Sequence, residues 1–130
     1  MSGWKVSEMS ELTVELREVE GVALVYPTGF VNAHTVRLFE GELQNALQRR
    51  LYNIVVNGAG LSYIASAGLG AIMGVIEEIR SNGGDLRLAS LNEAVLNIFE
   101  ILGFHHLFQI FETEAEAILS FRPGVRKGDA

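Results

Sequence analysis

An uncharged stretch of 26 residues, from Leu51 to Ile76, is the feature that most restricts how this chain can fold. It is long enough to span a bilayer, for which about 20 apolar residues suffice. However, it contains two asparagines and five glycines, and Asn57-Gly58-Ala59-Gly60 would break a helix where its backbone groups meet no water. We therefore predict a buried strand, a turn and a half-buried helix, and no membrane segment.

Composition limits the class of partner. The chain has 130 residues, which fits one domain, and 48% of them are hydrophobic, enough for a core. Sixteen Asp and Glu against ten Lys and Arg give a net charge of −6, which opposes binding to nucleic acid or anionic membranes. The chain has no cysteine, and its first eleven residues carry no apolar run typical of a signal peptide. We expect a cytoplasmic protein with no metal or cofactor.

Strands and helices are predicted to alternate along the chain. A period of two predicts a hairpin at 12–17 and 22–26, and steps of three and four predict a helix from Ala33 with Asn32 as its N-cap. Further strands are predicted at 54–56, 86–89 and 108–111. Further helices are predicted after the turn that ends at Gly68, after Asn92 as an N-cap, and after a capping box of Thr113 with Glu116. The order β-β-α-β-α-β-α-β-α predicts an α/β fold with a mostly parallel mixed sheet and an antiparallel edge strand.

The predicted domain occupies residues 12–121. Residues 1–11 form an N-terminal extension before the first strand. Residues 122–130 carry a net charge of +2 and contain Pro123 and Gly124, a composition that predicts a disordered C-terminal tail.

One segment identifies a family. The sequence Leu61-Ser62-Tyr63-Ile64-Ala65-Ser66-Ala67-Gly68-Leu69-Gly70, between a strand and a helix, resembles the signature of STAS domains, the family of bacterial anti-sigma factor antagonists. The resemblance covers about residues 12–121. It includes Gly29-Phe30-Val31-Asn32-Ala33, the glycine pair before the fourth predicted strand, and Leu-Gly-Phe-x-x-Leu-Phe at 102–108. It implies a single STAS-like domain.

The chain departs from the family pattern at the phosphorylation site. The usual turn reads Asp-Ser-Ser-Gly-Leu-Gly, and its second serine accepts phosphate from a partner kinase that is also the anti-sigma factor. Here the acceptor position is Ala67 and the aspartate position is Ala65, while Asn57 stands where the family often has aspartate. Ser66 is a possible substitute acceptor, although a role as N-cap of the following helix is the simpler interpretation.

The resemblance implies a regulatory protein-interaction domain rather than an enzyme. The implied partner is an anti-sigma factor, a serine kinase, or a related regulator of transcription. The predicted partner-binding residues lie at one rim of the sheet: Asn32, Asn57, Ser62, Tyr63, Ala65, Ser66, Ala67, Gly68 and Gly70. An alternative is a sensor or scaffold STAS domain that binds a small ligand and has no phosphorylation switch.

Two glycines in the helix after the signature need an explanation. Gly70 and Gly74 each cost about 0.5–1 kcal/mol of helix stability relative to alanine. Either a partner backbone approaches them closely, or they pack against a neighbouring helix of the same chain. The sequence leaves both interpretations open.

Two enzymatic interpretations are disfavoured. Ser66, Asp85 and His105 occur in hydrolase order, but Asp85 begins a strand and should lie at the opposite end of the sheet from Ser66. The glycines from Gly68 to Gly74 imitate a dinucleotide fingerprint, but the next strand ends without the acid that would hold a ribose. His105 and His106 should point apart, which disfavours a metal site.

Overall fold

A hairpin of two antiparallel strands, β1 (Leu12–Val19) and β2 (Val22–Val31), begins the fold in a computed structural model that describes residues 12–124. Glu20 and Gly21 form its two-residue turn, and both have positive φ values, 54° and 81°. Such a turn matches the right-handed twist of the flanking strands. The predicted hairpin is therefore confirmed. The predicted N-terminal extension and most of the predicted tail lie outside the described residues.

The central sheet is mixed, as predicted. The elements after the hairpin are α1 (Val36–Gln48), β3 (Asn53–Asn57), β4 (Leu61–Ile64), α2 (Ser66–Ser81), β5 (Asp85–Ala89), α3 (Glu93–Ile101), a 3₁₀ turn (Phe104–His106), β6 (Ile110–Phe111) and α4 (Glu114–Leu119). The strands lie side by side in the order β1-β2-β3-β5-β6. Strand β2 pairs antiparallel with β1, and the pairs β2–β3, β3–β5 and β5–β6 are parallel.

Strand β4 is an element that the sequence interpretation assigned to a loop. It pairs parallel with the far end of β2, where β3 has already ended, and the register shifts between Gly29 and Phe30. Its buried residues, Leu61 and Ile64, are three positions apart with two exposed residues between them. Because this spacing breaks the period of two, strand alternation did not reveal β4.

The core has two layers. On one face of the sheet, α1, α2 and α3 cover Ile54 and Val56 of β3; on the other, α4 covers Val55 with Ala117. These three β3 residues are at most 2% exposed. The prediction of a strand covered on both faces is confirmed. The uncharged stretch thus forms β3, β4 and the first part of α2, and no helix within residues 12–124 is long and apolar enough to cross a membrane.

The start of α1 differs from the prediction. Its N-cap is Thr35, three residues after Asn32. Asn32 instead forms a turn before the helix, in which its Oδ1 accepts hydrogen bonds from the backbone N–H groups of His34 (2.9 Å) and Thr35 (3.1 Å). The Thr35 hydroxyl donates to the Phe30 carbonyl at 2.8 Å. Asparagine favours such turns as strongly as it favours N-caps, so residue type alone does not separate the two.

The starts of α3 and α4 agree with the predicted caps. Asn92 accepts a hydrogen bond from the Val95 N–H at 2.8 Å, and its side-chain amide also donates to the Leu61 carbonyl at 2.9 Å, which ties α3 to β4. Thr113 and Glu116 form a capping box at α4. Two predicted boundaries are wrong: β6 begins at Ile110 rather than 108, and α4 ends at Leu119 rather than near Phe121.

The end of the described chain predicts that the tail contributes little to stability. Arg122 pairs with Glu20 at 3.0 Å, and a chain ending at Arg122 keeps this ion pair. Pro123 and Gly124 are exposed. A chain ending at Arg122 should therefore melt within a few degrees of the whole protein in a thermal denaturation followed by circular dichroism. A large drop in melting temperature would show that the tail stabilises the domain.

Candidate functional site

The ends of β2 and β4 and the residues that follow them meet at one edge of the sheet, and we call residues 30–32 with 62–70 the signature rim. The Ala65 N–H donates to the Val31 carbonyl at 2.8 Å, which joins the end of β4 to the end of β2. Helix α2 begins directly afterwards, at Ser66. The fold therefore brings together all predicted partner-binding residues except Asn57.

Gly68 allows α2 to pack closely on these two strands. A Cβ atom at this position would lie 2.6 Å from the side chains of Val31 and Ile64, closer than van der Waals contact permits. The residue is buried, whereas its neighbours Ser66 and Gly70 are exposed. The glycine of the signature thus has a structural role, which is to hold the N-terminus of α2 against the ends of β2 and β4.

The signature rim contains no charged residue, and it exposes a pair of aromatic side chains. Phe30 and Tyr63 are paired on the adjacent strands β2 and β4, and they are 46% and 48% exposed. No charged residue occurs between Glu20 and Arg37, or within the uncharged stretch that contains β4 and the start of α2. An exposed aromatic pair on an uncharged surface is typical of a protein-binding site. The sequence interpretation included Tyr63 but missed Phe30.

The first turn of α2 differs from the prediction for Ser66. The N-cap is Ala65, which offers no side-chain oxygen, and Ser66 is the first helical residue. The interpretation of Ser66 as the N-cap is therefore wrong. Ser66 is exposed, while Ala65 and Ala67 are half-buried. The helix begins without a capping side chain, so the free N–H groups of its first turn face the rim.

The open surface at Gly70 and Gly74 removes one of two interpretations. A Cβ atom at either glycine would meet nothing within 4 Å, so packing against the chain's own helices explains neither residue. Both line a shallow groove of about 260 Å³ between α1 and α2, opposite Glu40 and Gln44. Close approach of a partner stays a prediction.

Asn57 lies on the other face of the sheet, with α4. Its side-chain amide donates to the Glu114 carboxylate at 2.9 Å, and its Oδ1 accepts from the Ala59 N–H at 2.8 Å. These hydrogen bonds show that Asn57 fixes the N-terminus of α4 to the sheet, and the structure does not join Asn57 to the signature rim.

Glu114 also interacts with Tyr26 of β2. Burial, reinforced by a hydrogen bond to Glu114, raises the pKa of Tyr26 to about 12.

The residues of the disfavoured enzymatic interpretations are dispersed. Asp85 begins β5 and pairs with Arg80 (3.0 Å) and Arg87 (3.1 Å), at the opposite end of the parallel strands from Ser66. The rings of His105 and His106 lie 3.9 Å apart, so the expectation that they point apart is wrong. Within residues 12–124, no group of three or more His, Asp or Glu side chains is placed to hold a metal ion.

Comparison with known proteins identifies the family. The sequence profile of the STAS domain matches residues 13–117. The chain belongs to the STAS domain family. This result confirms the resemblance seen in the signature segment, and it agrees with the α/β fold of six strands and four helices found within residues 12–124.

Named relatives of this STAS domain are anti-sigma factor antagonists. The anti-sigma F factor antagonist of Paenibacillus polymyxa is 28% identical over 108 residues, which cover 82% of this chain and 92% of the relative. The anti-sigma-B factor antagonist of Staphylococcus epidermidis is 30% identical over 89 residues, covering 68% and 82%. These identities support a general role in the same kind of regulation.

Solved structures show the same fold. The unphosphorylated form of the anti-sigma factor antagonist SpoIIAA superposes with a TM-score of 0.74 at 23% identity, covering 88% of this chain and 100% of that one. An anti-sigma factor antagonist from Mycobacterium paratuberculosis gives a TM-score of 0.77 at 16% identity, covering 84% and 92%. At these identities the likeness concerns the fold alone.

The contrast between two glycines of α2 gives a direct test of the rim geometry. Gly68→Ala should destabilise the protein by about 1–3 kcal/mol, because the added methyl group overlaps Val31 and Ile64. Gly74→Ala, in open space within the same helix, should stabilise it by about 0.5–1 kcal/mol. Urea denaturation of both variants measures the difference. Equal effects from the two substitutions would contradict the close packing at Gly68.

Proposed function

We propose that this STAS domain is a non-enzymatic regulator that binds a protein partner, an anti-sigma factor of the kinase type, through the signature rim. The observation that carries the proposal is the exposed pair Phe30 and Tyr63 beside the uncapped start of α2. The relatives named as anti-sigma factor antagonists support the class of partner.

Charge supports a protein partner at this rim. The chain is acidic overall, yet the rim carries no charge, and the nearest ionised side chain along the sequence after β2 is Arg37. A surface without charges loses little solvation energy when a partner covers it, whereas buried charges cost several kcal/mol each unless they are paired. The rim is therefore the part of this acidic surface that a protein covers at the lowest cost.

We further propose that phosphorylation at the usual position does not switch this interaction. Ala67 has no hydroxyl group, and Ala65 has no carboxylate beside it. A phosphate on the first turn of a helix adds close to two negative charges, which would change the uncharged rim completely. Without the acceptor, the rim keeps one charge state, and the domain binds its partner constitutively.

Replacement of Gly70 by glutamate tests the binding surface. Gly70→Glu adds bulk and a charge to the rim, where a Cβ atom meets no neighbour, so the fold should persist while partner binding is lost. Affinity capture from the extract of the source cells, followed by mass spectrometry, identifies the partner, and calorimetry with the purified partner measures the loss.

A matched control separates the rim from general effects of charge. Ala115→Glu adds the same charge on an exposed position of α4, on the other face of the sheet. It should leave the affinity unchanged. Equal binding by Gly70→Glu and wild type would contradict the rim as the interface. A co-purifying small molecule in place of a stoichiometric protein would favour the sensor interpretation instead.

Restoring a serine at position 67 tests whether the missing hydroxyl group is what prevents phosphorylation. The captured kinase with ATP should leave the wild-type protein unmodified, whereas Ala67→Ser, alone or with Ala65→Asp, should accept one phosphate. Intact-mass spectrometry detects the addition. The control is Ser66→Ala, which should behave as wild type.

A different result would locate the switch elsewhere. Rapid stoichiometric phosphorylation of the wild-type protein that disappears in Ser66→Ala would mean that the acceptor has moved by one residue. The proposal of constitutive binding would then be wrong.

A further inference from the structure

A second surface lies at the opposite edge of the sheet from β1, between α3 and β6, and we call it the α3 groove. Its volume is about 340 Å³. Leu91, Leu96, Ile110 and Phe111 provide its apolar lining, and Glu100, His105 and Glu112 complete it. All three of these polar residues are exposed. The groove is separate from the signature rim, which is formed by β2, β4 and α2.

A second depression lies along α3 beside this groove. It shares Leu96 and Glu100 with the groove, and Glu93, Ala94 and Asn97 complete its lining. The surface beside the groove therefore follows α3 towards its N-terminus and adds a further glutamate. Ile101, at the end of α3, is an exposed apolar residue that follows Glu100.

The charged residues that line the α3 groove and its extension along α3 are acidic. Glu93 and Glu100 lie on α3, and Glu112 follows β6. Each of these three carboxylates is exposed. A basic side chain near this edge, Arg80, is already engaged, because it donates to the Leu107 carbonyl at 2.7 Å and lies over the Phe108 ring. An occupant that covers the apolar lining of the groove must therefore bring positive charge to its margins.

We propose that the α3 groove binds a basic amphipathic helix of a partner protein. The apolar face of such a helix would cover Leu96, Ile110 and Ile101, and its Lys or Arg side chains would meet the three glutamates. Helix-in-groove recognition uses this combination of an apolar stripe and charged margins. The inference does not depend on the signature rim or on its phosphorylation.

The negative charge beside the α3 groove disfavours two other occupants, a second copy of this chain and an anionic membrane. A second copy of this chain placed across a two-fold axis would oppose Glu100 and Glu112 with the same carboxylates, on a protein whose net charge is already −6. An anionic membrane surface would be repelled for the same reason. Electrostatic attraction favours only a cationic partner at this edge.

A synthetic peptide provides the probe. It consists of about 18 Leu and Lys residues arranged so that the apolar residues lie on one side of a helix. Titration of this peptide into the ¹⁵N-labelled full-length protein should shift the amide resonances of Leu96, Glu100, Ile110 and Glu112, and leave those of the signature rim in place. Fluorescence anisotropy of the labelled peptide gives the dissociation constant.

Matched variants distinguish the groove from general attraction between opposite charges. Glu100→Lys with Glu112→Lys should weaken peptide binding about tenfold or more. Glu77→Lys with Glu78→Lys makes the same charge change on exposed positions of α2 and should have less than a threefold effect. Both variants should keep the melting temperature of the wild type within a few degrees, because all four glutamate side chains are exposed.

The controls also define the results that would overturn the proposal. A peptide of the same composition in shuffled order, without an apolar face, should bind at least tenfold more weakly. Equal binding of the two peptides, equal weakening by the two pairs of substitutions, or resonance shifts centred on the signature rim would each contradict the proposal. A dimer of the wild-type protein in analytical ultracentrifugation, abolished by Glu100→Lys with Glu112→Lys or by Ile101→Ser, would assign the groove to a second copy instead.

Discussion

Burial of strand β3 from both sides is the constraint on which the rest of the structure depends. Ile54, Val55 and Val56 are inaccessible to solvent, and complete burial of each such side chain contributes about 1.5–3 kcal/mol. Because successive side chains of a strand point to opposite faces, one helical layer cannot cover all three. Helices α1 to α3 cover one face, and α4 covers the other. Asn57 and Glu114 then hold α4 in place through a hydrogen bond between their side chains.

The same arrangement determines where the signature rim lies. Strand β2 is longer than β3, so its last residues need another partner, and β4 supplies it after the turn at Gly58 to Gly60. Because β4 ends level with β2, with Ile64 paired to Val31, α2 begins at an end of the sheet that extends beyond β3. The absence of a side chain at Gly68 then lets α2 contact both strands. The exposed start of α2 is thus a consequence of sheet geometry and not of a flexible loop.

The sequence was sufficient for the architecture because periodicity and capping residues report on local structure. The Glu20-Gly21 turn, the Asn92 cap and the Thr113–Glu116 capping box are local signals, and all three are confirmed. Strand β4 was missed because its pattern depends on a register shift against β2, which is a tertiary property. Phe30 was missed for a related reason. The second strand was predicted to end at residue 26, so the sequence did not reveal that Phe30 pairs with Tyr63 across β2 and β4.

The signature rim and the α3 groove differ in charge, a difference that the composition of the whole chain does not reveal. The net charge of −6 describes neither of them, because no residue of the signature rim is charged, whereas the charged residues that line the α3 groove, Glu100 and Glu112, are acidic. Under the proposal of constitutive binding, Ala67 leaves the rim without the charge change that a phosphate would add. Control of a constitutive interaction acts on the abundance of the protein, on its partner, or on a surface away from the rim. The α3 groove is suited to that last route, because its exposed carboxylates attract a cationic segment independently of what the rim binds.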